Sequence, residues 1–165
     1  MSFTPPPPLL TPRFLLRPFR TGDGAPMAEA VHSSYEHLAA TLNWPVRHPQ
    51  VEEEEAKVQR CVTRYAAGEG FTFALLTPNE SHFLGAAGYH LRGAPLSERS
   101  AEISLWIRAN HARSGLGTEV TRALLRWGFE AWGFERPAWV CRPDNVGSRR
   151  MAEKALAQAE KTKDG

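Results

Sequence analysis

Cysteine is scarce in this 165-residue chain, with Cys61 and Cys141 the only two. That is too few for a disulfide framework, so a reduced, cytoplasmic home is the simpler reading. Charge of one sign is lacking too: 20 Lys and Arg against 18 Asp and Glu leave a formal net charge of +2. Such a balance makes no electrostatic case for a nucleic-acid partner or a membrane surface. No apolar run approaches the roughly 18 residues needed to span a bilayer. The start, Met1-Ser-Phe-Thr-Pro-Pro-Pro-Pro8, has neither the charged nor the apolar region of a signal peptide. Six scattered histidines and two distant cysteines show no metal-ligand spacing, so no metal is expected. Internal repeats are absent, and low complexity is confined to Pro5–Pro8 and the acidic run Glu52–Glu55.

The material for one core is there. Hydrophobic residues make up 42% of the chain and include five Trp and eight Phe, as in an ordinary globular domain. The organisation expected is a flexible Pro-rich tail over residues 1–9, a single domain over 10–157 and a polar tail over 158–165. Leu10 to Phe19 reads as a first strand started by Thr11-Pro12. Ala25 to His32 and Ser34 to Leu42 read as two short helices, with Asp23 a candidate cap and Asn43-Trp44-Pro45 ending the run. Trp44 is a core plug or an exposed aromatic on an acceptor pocket, the plug being favoured. Val51 to Ala67 is a helix closed by Gly68; its glutamates suit the positive helix end as a solvated face or, alternatively, attract a cationic partner. Cys61 falls on that helix's apolar stripe. Phe71 to Leu76 and Phe83 to Leu91 flank a turn at Thr77–Ser81 and read as a hairpin, with Gly85 and Gly88 marking a bulge or a close backbone approach.

The rest is organised around Ala101 to Thr118. Its first half is a strand, with Ile103, Leu105 and Ile107 alternating against Glu102, Ser104 and Trp106. Its second half sets Gly115 and Gly117 at the mouth of an amphipathic segment, Thr118 to Trp132. A glycine-rich turn opening a helix presents unpaired backbone N–H groups at the positive end of the helix dipole, which suits a pyrophosphate. It is also what an ordinary strand-to-helix turn looks like. A further strand, Ala138 to Cys141, and a last helix starting at Asp144 or Asn145 complete an alternation of strands and helices with an antiparallel front half, an α/β or α+β domain.

Strand, Gly115-Leu-Gly-Thr-Glu119, helix, strand and then Asn145-Val-Gly-Ser148 together resemble the GNAT acetyltransferases. The closer resemblance is to the branch of the ribosomal-protein N-terminal acetyltransferases, through Leu10-Thr-Pro-Arg-Phe-Leu-Leu-Arg-Pro, Ala101-Glu-Ile-Ser-Leu-Trp-Ile and Ser148-Arg-Arg-Met-Ala-Glu-Lys. The resemblance implies a mixed, mostly antiparallel sheet flanked by helices. It also implies acetyl-CoA as co-substrate and direct transfer to a primary amine, either a protein N-terminus or a small amine. Direct transfer also agrees with the absence of a nucleophile elbow.

On that resemblance Arg113, Ser114, Gly115, Leu116, Gly117 and Thr118 would hold the pyrophosphate. The strand edge at Leu105, Trp106 and Ile107 would pair with the pantetheine amides, and a backbone N–H there would stabilise the oxyanion. Asn145 would bond the pantetheine arm, or simply cap a helix. Where the family often has Gln or Arg at the head of the phosphate motif, this chain has Ala112, with Arg113 one place later. Glu102 is the candidate base, its alternative being a surface salt bridge. Ser148 is the candidate proton donor to the leaving thiolate, or else a helix residue with a local backbone bond. His90 and His111 are alternative bases, and Tyr89 with His90 would line the acceptor side.

After Glu153-Lys154 the family continues with Leu-Gly-Phe and two more strands, whereas this chain runs Ala155-Leu-Ala-Gln-Ala to Gly165. The expectation is therefore a sheet lacking the last two family strands. A homodimer covering its bare edge is one consequence. The alternative function is coenzyme A binding without transfer.

Overall fold

The alternating apolar stretches pair into a sheet whose order follows the chain: β1 (Leu9–Leu10), β2 (Leu15–Pro18), β3 (Gly70–Leu76), β4 (Phe83–His90), β5 (Ser100–Ile107) and β6 (Arg136–Trp139). The computed structural model describes residues 4–112, 114–139 and 148–155. β1 to β5 pair antiparallel with their neighbours, and β6 joins β5 in parallel. This is the mixed, mostly antiparallel sheet flanked by helices that was expected.

The expected strand over Leu10–Phe19 is in fact two strands folded back on each other, Leu9 opposite Leu16 and Leu10 opposite Leu15. Thr11 makes the reversal: its hydroxyl oxygen accepts the Phe14 amide at 3.1 Å and its own N–H reaches Phe14 O at 2.9 Å. Thr11-Pro12 therefore makes a tight turn rather than a strand start, because the Thr hydroxyl and the preset proline φ both favour one. The hairpin β3–β4 turns where the sequence suggests, with Thr77 N–H bonded to His82 O at 3.0 Å. A register irregularity lies at Leu75/Leu76, opposite Gly85.

Helices α1 (Gly24–Ser33) and α2 (Tyr35–Ala39) break at Ser34, and α3 (Val51–Ala67) ends on a left-handed Gly68 at φ 72°. α4 (Leu116–Trp127) starts two residues before the expected Thr118 and runs into a wider turn over Gly128–Trp132. Residues 148–155 are helical (α5). Asp23 does not cap α1 through its side chain. Instead its carboxylate accepts two bonds from Arg17, at 2.8 and 2.9 Å, in a pair whose side chains are 9% and 7% exposed. The acidic run is not uniformly solvated either. Glu54 is buried and pairs with Lys57 at 2.8 Å. Glu55 accepts the amides of Gly22 and Gly24 at 2.9 and 2.8 Å, across to the start of α1.

Buried residues gather on both faces of the sheet. On one, α4 covers Phe71, Phe73, Tyr89 and Ile103 with Val120, Leu124 and Trp127. On the other, α1 and α3 bring Met27, Val31 and Val58 against Ala74, Leu76 and Ala86. Cys61 packs beside this second cluster as expected, and burial pushes its thiol pKa up. The expected strand Ala138–Cys141 is β6 as far as Trp139. Val140, Cys141, the helix start at Asp144 or Asn145 and the tail 158–165 lie outside the described residues.

Candidate active site

β5 is held differently by its two neighbours. β4 pairs with it from Glu102 through Ile107, whereas β6 pairs from Ser100 to Ile103, where Trp139 is opposite. Among the described residues no strand pairs with the outer edge of Ser104–Ile107, and residues 140–147, which follow β6, lie outside the described residues. The Leu105 and Ile107 side chains pack with the α4 cluster, while Trp106 sits on the opposite face. Leu105 and Ile107 thus offer the edge their backbone.

From that edge the chain passes through a short turn, Ala109–His111, to Gly115 at φ 83° and into α4. The left-handed φ is costly for residues with a Cβ, which is why glycine stands there. The first backbone bond of α4 runs from Glu119 N to Gly115 O at 3.1 Å. That leaves the amides of Leu116, Gly117 and Thr118 without intrahelical acceptors at the positive helix end. Leu116 itself is buried, and a Cβ on Gly117 would lie 2.7 Å from Met151 Sδ. A side chain at Gly117 would therefore require the flexible end of Met151 on α5 to shift. The Ser114 hydroxyl is spent on His111 O at 2.7 Å. Beside this helix start is a cavity of about 590 Å³ lined by Thr118, Arg150, Met151, Glu153 and Lys154. Arg150 and Lys154, one helical turn apart, add cations to it. The predicted Arg113 and Asn145 lie outside the described residues.

The face of β5 away from α4 carries Glu102, Ser104 and Trp106. Glu102 is held by Arg92 through two bonds, at 2.5 and 3.1 Å, and that guanidinium keeps its carboxyl below the ordinary range. The salt bridge foreseen as its alternative role is present. His90 Nε2 lies 2.6 Å from Ser104 Oγ. Burial lowers the His90 pKa, as does Arg92, against an opposing pull from Glu102. Tyr89, expected on the acceptor side, is instead buried on the other face with its hydroxyl donated to Leu124 O; strand alternation puts adjacent residues on opposite faces. Trp44 is no core plug: it is 37% exposed, with its ring 5.6 Å from that of Trp106. His111 is bonded to its neighbour Asn110 at 2.9 Å. Ser148, at the start of α5, accepts the Trp139 indole N–H at 2.9 Å and so stands beside the last described residue of β6.

Sequence reasoning missed the residues that tie this region together. Arg108, buried directly after β5, donates to both oxygens of Glu29, to Ser33 Oγ and to Phe83 O. Ala109 N–H donates to Ser34 Oγ at 2.9 Å. The bonds to Glu29, Ser33 and Ser34 fasten the α1–α2 break to the end of β5, and no local signal announces them because those partners lie 75 to 79 residues away in sequence. Ser104 carried no assigned role for the same reason: its partner is on another strand. Among the described residues no group of three His, Cys, Asp or Glu side chains is placed to hold a metal ion, and no helix is long and apolar enough to cross a membrane.

Comparison with known proteins adds the family. Residues 13–157 match the family model described as the acetyltransferase (GNAT) domain. The chain is 26% identical over 153 residues to the uncharacterized N-acetyltransferase YoaA of Bacillus subtilis (strain 168), covering 92% of this chain and 83% of that protein. Its fold is similar to that of the ribosomal-protein-S5-alanine acetyltransferase from Vibrio fischeri, with TM-score 0.74, 16% identity, and 92% and 80% of the two chains covered. It is also similar to RimJ of Mycobacterium smegmatis, solved with a CoA-disulfide, with TM-score 0.72, 24% identity, and 88% and 71% covered.

Proposed function

Since the chain belongs to the GNAT acetyltransferase family, we propose that it transfers the acetyl group of acetyl-CoA directly to a primary amine, a protein N-terminus or a small amine. The observation that carries this reading is the head of α4, where the first-turn amides after the left-handed Gly115 have no acceptor within the helix and lie beside the cavity that Arg150 and Lys154 line. A thioester with a pyrophosphate at its far end has the charge for that surface. The RimJ structure with its CoA-disulfide and the name of the Vibrio fischeri enzyme support the co-substrate and the protein acceptor respectively.

Acetyl-CoA supplies the activated acyl group, and the chain's own residues do the rest. The amides of Leu116, Gly117 and Thr118 receive the pyrophosphate, with Arg113 beside them and Ser114 bracing the turn. Arg150 and Lys154 attract phosphate at the adjacent cavity. The edge at Leu105, Trp106 and Ile107 pairs with the pantetheine amides, Asn145 bonds the same arm, and a β5 amide stabilises the oxyanion as it develops. Glu102 and His90 are the basic groups on the acceptor face. The Ser148 hydroxyl, whose oxygen accepts from the Trp139 indole at 2.9 Å, is the proton donor to the leaving thiolate.

The test is thiol release from acetyl-CoA against a panel of small amines and N-terminal peptides. Turnover with an amine is the expected result. Coenzyme A binding in calorimetry with no turnover across the panel would overturn the transfer reading and leave a binding protein.

A further inference from the structure

We propose that Ser104 and His90 form the proton relay for the acceptor amine, the Ser104 hydroxyl meeting the amine and His90 Nε2 taking the proton behind it. This rests on the acetyl-transfer reading above.

Register places the pair. Ser104 lies on β5 one residue beyond Ile103, the partner of Trp139 on β6, and on the same face as Glu102 and Trp106. Opposite it on β4 is Gly88, which has no side chain to cover that hydroxyl. His90, two residues along β4, reaches back to Ser104 at 2.6 Å. Both lie on the face away from α4, the one that also holds Trp106 and the exposed Trp44. Glu102 shares the face, but its carboxylate is tied to Arg92 by two hydrogen bonds, and a paired carboxylate is a poorer proton acceptor.

Charge around His90 favours the neutral, accepting form. Arg92 follows it on its own strand end. From α3 the Arg64 guanidinium lies over Gly70, the β3 residue that pairs with His90. Glu102, opposite on β5, pulls the other way. Burial and the two cations outweigh it, and the imidazole pKa lies below its ordinary 6.5. In this relay His90 carries its proton on Nδ1 and Nε2 accepts from Ser104.

The proton count closes. The amine enters neutral, and its nitrogen attacks the thioester carbonyl carbon. As the C–N bond forms the nitrogen becomes acidic, so a weak base suffices. Its proton moves to Ser104 Oγ while the Ser104 proton moves to Nε2. The C–S bond breaks with its electron pair on sulfur, and the thiolate takes a proton from Ser148. His90 then loses its proton to water and Ser148 regains one.

The experiment is the pH dependence of kcat at saturating acetyl-CoA for the wild type, His90→Gln, Ser104→Ala and Glu102→Gln. Coenzyme A calorimetry and thermal melting serve as folding controls. His90→Gln and Ser104→Ala are expected to lose on the order of 10²-fold in kcat with coenzyme A affinity unchanged. His90→Gln should also lose the acid limb below pH 6.5. Glu102→Gln should keep that limb and move it to lower pH, because the Glu102 charge is what raises the imidazole. If the limb survives in His90→Gln, or vanishes in Glu102→Gln while Ser104→Ala turns over normally, the relay is wrong. A wild type that transfers to no amine would instead overturn the acetyl-transfer reading and the relay with it.

Discussion

At the head of α4 two glycines meet different constraints. Gly115 holds φ 83°, and no protein atom lies within 4 Å of the place its Cβ would take, so the obstacle to substitution there is conformational. Gly115→Val should cost about 1–2 kcal/mol in stability, more than Gly115→Asn, which tolerates the left-handed region. It should also weaken coenzyme A binding, as calorimetry would show; normal affinity in the valine variant would remove the pyrophosphate from this turn. Gly117→Val meets a different obstacle, the flexible end of Met151 2.7 Å from the added Cβ, which must move aside for it. Both glycines were legible from the sequence as a turn opening a helix. The contact of Gly117 with Met151 was not, since Met151 lies 34 positions on and adjoins it through tertiary packing.

Between elements, the junction of β2 with α1 rests on ionic groups. Arg17 on β2 and Asp23 before α1 form a nearly buried bidentate pair, and Glu80 from the β3–β4 turn adds a bond to Arg17 Nε at 2.6 Å. Breaking such a pair from one side strands a buried charge. Arg17→Ala should therefore destabilise the fold by about 3–5 kcal/mol, read as a drop in melting temperature, and a drop of under a degree would contradict this. α1 and α3 approach so closely that a Cβ on Gly24 would lie 2.6 Å from Glu55 backbone. Gly24→Ala should accordingly push these helices apart and lower the melting point, although alanine is the better helix former. α3 matches its expected bounds at both ends, closed by its capping glycine, whereas α2 stops at Ala39, short of the expected Leu42. The β1–β2 reversal escaped because Thr11-Pro12 is compatible with either a strand start or a turn. The choice is made by Leu9 and Leu10 finding partners in Leu16 and Leu15.

Over the whole molecule, stability should fall with acid in a defined order. His90 has a folded-state pKa below 6.5, so as pH drops through 6.5 the unfolded chain takes up a proton that the folded chain refuses. Glu29, held by Arg108, Glu55, held by the Gly22 amide, and Glu102, held by Arg92, lie below their ordinary 4.5. Below 4.5 the unfolded chain again binds more protons, until pH passes the folded values. Each group therefore makes stability rise with pH. Melting temperature should decline in two stages on acidification, a first below pH 6.5 that His90→Gln diminishes, since burial and Arg108 hold His111 below 6.5 as well, and a second below pH 4.5. A flat profile from pH 7 to 4 would contradict the burial and pairing of these groups.

By itself the sequence determined the fold class and the order of most elements. Those depend on local features: period-two and period-3.6 apolar spacing, turn residues, and glycines ahead of a helix. Tertiary structure alone decided which side chains meet. It put Tyr89 in the core and His90 against Ser104, tied Glu102 to Arg92, turned Trp44 out beside Trp106, and used Arg108 to fasten α1 to the end of β5. Each of these contacts joins separate strands, helices or loops, so its geometry follows from strand register and helix packing, which no local pattern in the chain encodes.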